Sequence, residues 1–166
     1  MRSMLSVVLV SLMATAAPLH AQTGAPATAS VAPAPTAQQR EAIARQDAQM
    51  SAAAARVAEL IDAGKAGEVW DGSSQVMRRS VARSAFVDGL QADRARLGAL
   101  ASRGQPTVSR VQYAAGAAVP AGIYLNVSFP TRFAGSAQPV RELVSFRLDE
   151  DSTWRVSGYS VRAAGQ

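Results

Sequence analysis

The chain has 166 residues, 17 Lys+Arg against 12 Asp+Glu for a formal charge of +5, a single His and no Cys. Without cysteine there is no disulfide, thiolate metal site or thiol nucleophile, and the single histidine, His20, falls in an N-terminal segment that reads as removable. The mature chain then has no Ser-His-Asp triad, no His-ligated zinc and no imidazole acid–base step, and no cofactor is implied.

In chain order, Met1 and Arg2 give a short basic start, and Met4 to Ala17 an apolar run broken at Pro18. That run falls short of the about 20 apolar residues a membrane span needs and fits the core of a signal peptide over residues 1–21, cleaved after Ala21. The expectation is a periplasmic or secreted protein with no transmembrane segment left after cleavage. Loss of Arg2 leaves 16 basic residues against 12 acidic ones, 16 − 12 = +4, and all but Lys65 of the bases are Arg. They are not gathered in one tract, so nucleic acid is not an expected partner. Residues 22–37, "QTGAPATASVAPAPTA", have no charge and cannot bury a core; they read as an extended linker. Residues 38–166 make one domain.

The domain opens with a helix from Gln38 to a stop at Gly64, its apolar stripe at Met50, Ala54, Val57 and Ile61. The stripe thins upstream to Ile43, which leaves the first turns to solvent or to self-association. A short helix is expected over Ala66 to Met77, and a third from Ser80 carrying Phe86, Val87, Leu90, Leu97 and Leu100. From Thr107 the period changes to two, giving four strands: Thr107–Ala114, Ile123–Phe133, Val140–Asp149 and Trp154–Arg162. Tyr159 has the wrong parity for the apolar face of the last strand unless Gly158 sits in a bulge. The fold class is therefore α+β, three N-terminal helices packed on one face of a four-stranded antiparallel meander in a cone-like arrangement.

"WRVSGYSVR", preceded by "RELVSFRLDEDST", together with "LIDAGKAGEVW", "RARLGALASR", Phe133 and Glu142, resembles an uncharacterised bacterial secreted family, domain of unknown function 4019. The resemblance runs from about Ala53 to Arg162. It implies a small secreted helix-plus-sheet domain similar to nuclear transport factor 2-like or cystatin-like folds, with no assigned active site. The family usually has Asp-Gly before the Trp, where this chain has Asp151 followed by Ser152 and Thr153.

Three function classes follow, the third a structural module that self-associates through the projecting start of the first helix, Gln38 to Gln49. The first is a non-catalytic binding or accessory domain of the cell envelope. On the polar sheet face, a Glu150–Ser152 loop places Arg147 opposite Arg155, and an Ala134–Pro139 loop places Arg132 opposite Arg141. Like charges across strands are unfavourable by up to about 1 kcal/mol per pair, so Arg132, Arg141, Arg147 and Arg155 form a candidate strip for an anionic envelope component. The second class is a small-molecule enzyme with a buried carboxylate in the cone, marked by an inward Asp or Glu beside Tyr113, Tyr124 or Tyr159; Asp71 is the carboxylate least easily assigned to solvent. Trp70, Phe86, Phe129, Phe146 and Trp154 read as core rather than as a ligand box.

Overall fold

The computed structural model describes residues 34–163. The expected signal peptide, 1–21, and residues 22–33 of the expected linker, 22–37, lie outside the described residues. Four helices come first, α1 (Ala37–Asp62), α2 (Ala66–Asp71), α3 (Gln75–Ser80) and α4 (Arg83–Leu97), followed by β1 (Leu100–Arg103), β2 (Thr107–Tyr113), β3 (Gly122–Phe133), β4 (Val140–Leu148) and β5 (Trp154–Ala163). Among the described residues no helix is long and apolar enough to cross a membrane.

The α+β class stands, with four helices and five strands where three and four are expected. The expected second helix divides because Ser74 adopts an extended backbone and its side chain accepts from the Met77 N–H, which caps a new helix. The Ser74 N–H meanwhile donates to the Val156 carbonyl at 2.8 Å, tying the break to β5. Ser80 therefore closes α3 instead of opening the next helix, which begins at Arg83. The extra strand, β1, has only four residues. It shares an edge of β3 with β2: β1 lies beside Phe133 to Thr131, and β2 beside Ser128 to Gly122.

The sheet is antiparallel, in the order β1-β3-β4-β5 with β2 on the same side of β3 as β1. Leu125, Val127 and Phe129 of β3, Val144 and Phe146 of β4 and Val156 of β5 face the helices, and they are buried with Met50, Ala54 and Ile61 of α1, Val69 of α2, Met77 of α3 and Leu90 of α4. Trp70, Phe86 and Trp154 pack against this cluster as core, as expected, and the Trp70 indole donates to the Val81 carbonyl at 3.0 Å. Leu97, Phe133 and Val140 form a second, smaller cluster under the end of α4. The β4–β5 register slips between Ser145 and Phe146, so Ser157 is the extra residue and Tyr159 turns inward opposite Val144. This is the bulge expected beside Gly158.

Candidate functional site

Between the two apolar clusters, the inward rows of the sheet carry polar groups. Along β4 the helix-facing positions are Val140, Glu142, Val144 and Phe146, and Glu142 is wholly buried. Arg103 of β1 grips it in two places, Nε to Oε2 at 2.6 Å and Nη2 to Oε1 at 3.0 Å. Thr131 of β3 donates to Oε2 at 2.8 Å, Arg94 of α4 to Oε1 at 3.1 Å, and the Tyr159 hydroxyl to Oε1 as well. Asp62, the last residue of α1, closes the ring by accepting from Arg94 and Arg103, each at 2.8 Å. Two cations and two carboxylates make the cluster neutral and join α1 and α4 to the sheet.

Burial by itself would raise the Glu142 carboxyl, yet hydrogen bonds from Arg103, Tyr159 and Thr131 and the charge of Arg103 outweigh it and hold the group below its usual range. Burial and the neighbouring Glu142 charge push Tyr159 the other way, well above an ordinary phenol. An inward carboxylate beside Tyr159 is the placement expected of an enzyme, and the structure provides it. Its chemistry is the opposite of a general acid or base, which needs a carboxyl raised towards neutrality and a lone pair free to take a proton. Asp71 is exposed and bound in two places to Arg83, at 2.8 and 3.0 Å.

The expected arginine strip divides in two. Arg147 does lie opposite Arg155, but Arg147 is buried, donating to Asp149 at 3.0 Å and Glu150 at 2.9 Å, while Arg155 reaches Asp149 at 3.2 Å and Asp151 at 2.8 Å. Three carboxylates absorb these two charges. At the other end of the face the expected Arg132–Arg141 pair is not formed, because the β3–β4 register is shifted by two: Pro130 stands opposite Arg141, and Arg132 sits beside Ser102. The like-charge pair here is Arg141 opposite Arg162, both exposed, and it lines a hollow of about 120 Å³ with Leu143 and Ser160. Arg132 is exposed on the same face.

Sequence reasoning missed the ionic cluster as such. Its signal was Glu142, an acid on the parity of Val144 and Phe146. The stretches that carry the family resemblance contain Asp62, Arg94, Arg103, Glu142 and Tyr159, five residues that lie apart in sequence and meet here. Among the described residues no group of acidic or histidine side chains is placed to hold a metal ion.

Fold and cluster together define a small α+β domain with helices on one sheet face and a neutral ionic cluster beneath them. The family described as "Protein of unknown function (DUF4019)" matches residues 53–159, and the chain belongs to that family. No curated protein and no solved structure matches the chain.

Proposed function

We propose that the chain is an exported cell-envelope protein, periplasmic or secreted, whose domain binds rather than catalyses and receives an anionic envelope component on the basic corner of its outer sheet face. The observation that carries this reading is the composition of that corner. The outward positions Ser102, Ser128, Pro130, Arg132, Arg141, Leu143, Ser160 and Arg162 include three arginines and no acid. Arginine's planar fork meets phosphate or carboxylate with two hydrogen bonds, and serine hydroxyls supply neutral donors between. The relation to nuclear transport factor 2-like or cystatin-like folds belongs to the same proposal.

Catalysis by the cone carboxylate is the competing reading, favoured by the inward placement of Glu142 beside Tyr159. Five donors on that carboxylate speak against it.

The test is binding of the full chain to vesicles of anionic and of zwitterionic phospholipid, and to inorganic phosphate, with and without Arg132→Ser, Arg141→Ser and Arg162→Ser. Each arginine near an anionic surface contributes about 1 kcal/mol, so the triple variant should bind anionic vesicles on the order of a hundredfold more weakly and with a flatter salt dependence. Unchanged affinity and salt slope would sink the reading.

A further inference from the structure

A second recessed region lies on the edge opposite the basic corner, between α3 and the β4–β5 hairpin. The cleft holds about 560 Å³ and is lined by Gln75, Arg78 and Arg79 on one side and Asp149, Glu150, Asp151 and Arg155 on the other. Its two walls carry opposite excess charge. On the hairpin, Arg147 and Arg155 face Asp149, Glu150 and Asp151, a balance of 2 − 3 = −1. On α3, Arg78 donates to the backbone carbonyls of Asp71 and Ser73 at 3.0 and 2.8 Å, and Arg79 to the side-chain oxygen of Gln75 at 3.2 Å. Among the described residues neither makes an ion pair with a carboxylate.

Glu150 and Arg79 sit across the cleft from one another. Glu150 is largely exposed and bound on one side by Arg147, whose hydrogen bond is the main reason its carboxyl is held low; the charge of Arg79 adds to that at longer range. The two are thus within electrostatic reach and not in contact. Both are anchored from behind, Glu150 by the buried Arg147 and Arg79 by Gln75 one turn earlier on its helix. The hairpin is pinned by the Asp149 N–H to the Thr153 carbonyl at 3.0 Å, and α3 by Ser74 to Val156 at 2.8 Å. Separated charges on anchored walls are complementary to a molecule that carries both signs itself.

We propose that this cleft binds a compact zwitterion, an amino acid or dipeptide whose ammonium group meets the Glu150–Asp151 wall and whose carboxylate meets Arg79 and Arg78. A ligand with one charge satisfies one wall and leaves the other unpaired. A zwitterion bridges both walls, −1 on the hairpin and +2 on α3 from Arg78 and Arg79, and leaves the net charge of the cleft, 2 − 1 = +1, unchanged. Exposed charge contacts are weak individually, so the expected affinity is millimolar.

The test is a titration of the isotope-labelled full chain with alanine, dialanine and phosphoethanolamine, and with acetate and methylammonium as single-charge halves, followed by backbone and Arg Nε–Hε shifts. Alanine or dialanine should shift Arg79, Gln75, Glu150 and Asp151 saturably, with the halves giving no saturation. Arg79→Gln and Glu150→Gln should each weaken binding about fivefold. The Arg132→Ser, Arg141→Ser, Arg162→Ser chain should bind alanine unchanged, which separates this site from the anion corner. Failure of both amino-acid probes to saturate, a response to acetate alone that matches alanine, or saturation by phosphoethanolamine only, would each overturn the proposal.

Discussion

At the scale of single residues, Glu142 is a fully buried carboxylate that accepts five hydrogen bonds. Removing one partner of a buried ion pair leaves an uncompensated charge, which typically costs about 3–5 kcal/mol; Arg94 and Arg103 keep a little solvent contact, so Glu142→Gln should cost about 2–4 kcal/mol at neutral pH. The sign of the pH dependence follows from the depressed carboxyl. The folded chain holds a proton on Glu142 less readily than the unfolded chain, so its contribution is complete above the ordinary value of 4.5 and is lost as pH falls through the lower folded value. Denaturant unfolding of wild type and Glu142→Gln should therefore show a stability gap that is constant near neutrality and narrows on acidification below that value. A gap independent of pH would mean that Glu142 is not the ionised centre of the cluster. At the hairpin tip, Ser152 holds φ 61°, the left-handed region that side chains disfavour. The family resemblance implies an Asp-Gly before the Trp in this turn, and a left-handed backbone is a physical reason for glycine. Ser152→Gly should raise stability by about 0.5–1 kcal/mol, the relief exceeding the extra freedom of the unfolded chain, as thermal unfolding would register.

Among the elements, the long ones were legible and the short ones were not. α1 combines helix-forming residues with a stripe at Met50, Ala54 and Ile61, and β3 and β4 alternate cleanly enough to fix which face is buried. The bulge before Tyr159 could be inferred from parity alone. The α2–α3 break escaped because it depends on a serine cap that any serine could offer, and β1 because four residues carry too little alternation to be seen. The Arg132–Arg141 mispairing is a register error of two residues, which keeps the face and changes the partner; loop length alone set that estimate, whereas the real turn is packed against the end of α4. The Gly135 N–H donates to the Leu97 carbonyl at 2.8 Å, and a Cβ there would lie 2.8 Å from that oxygen and 2.9 Å from the Arg96 carbonyl. Gly135→Ala forces backbone apart from backbone and should cost about 1–3 kcal/mol by denaturant titration. Ala37 to Ala44, by contrast, are exposed, and the first tertiary links of α1 are Gln46 and Asp47 to Arg110 at 2.8 and 2.5 Å. Deleting 37–44 should leave the melting temperature nearly unchanged.

For the molecule as a whole, the decisive feature is that the ionic cluster interrupts the core. On one side lies the large apolar cluster around Leu125, Val127, Val144 and Phe146; on the other, Leu97, Phe133 and Val140 with Val161 packed against them. A cluster of three buried side chains holds little hydrophobic energy of its own, since each contributes about 1.5–3 kcal/mol before chain entropy is set against it. Its order must come from what joins it to the larger cluster. Arg94 makes that join from α4: its guanidinium stacks over Phe133 at 4.6 Å and over Tyr159 at 5.6 Å, while one nitrogen reaches Asp62, Glu142 and the Tyr159 hydroxyl. Loss of the Glu142 charge removes the anchor for Arg94 and Arg103 together, so the small cluster should open before the large one. Amide hydrogen exchange at neutral pH reads this directly. In Glu142→Gln, protection at Leu97, Phe133, Val140 and Val161 should fall further than at Val127 and Val144, where wild type should lose the two sets together. An equal loss at both sets would mean that the cluster stabilises the fold uniformly and that the two apolar regions form one cooperative unit without it.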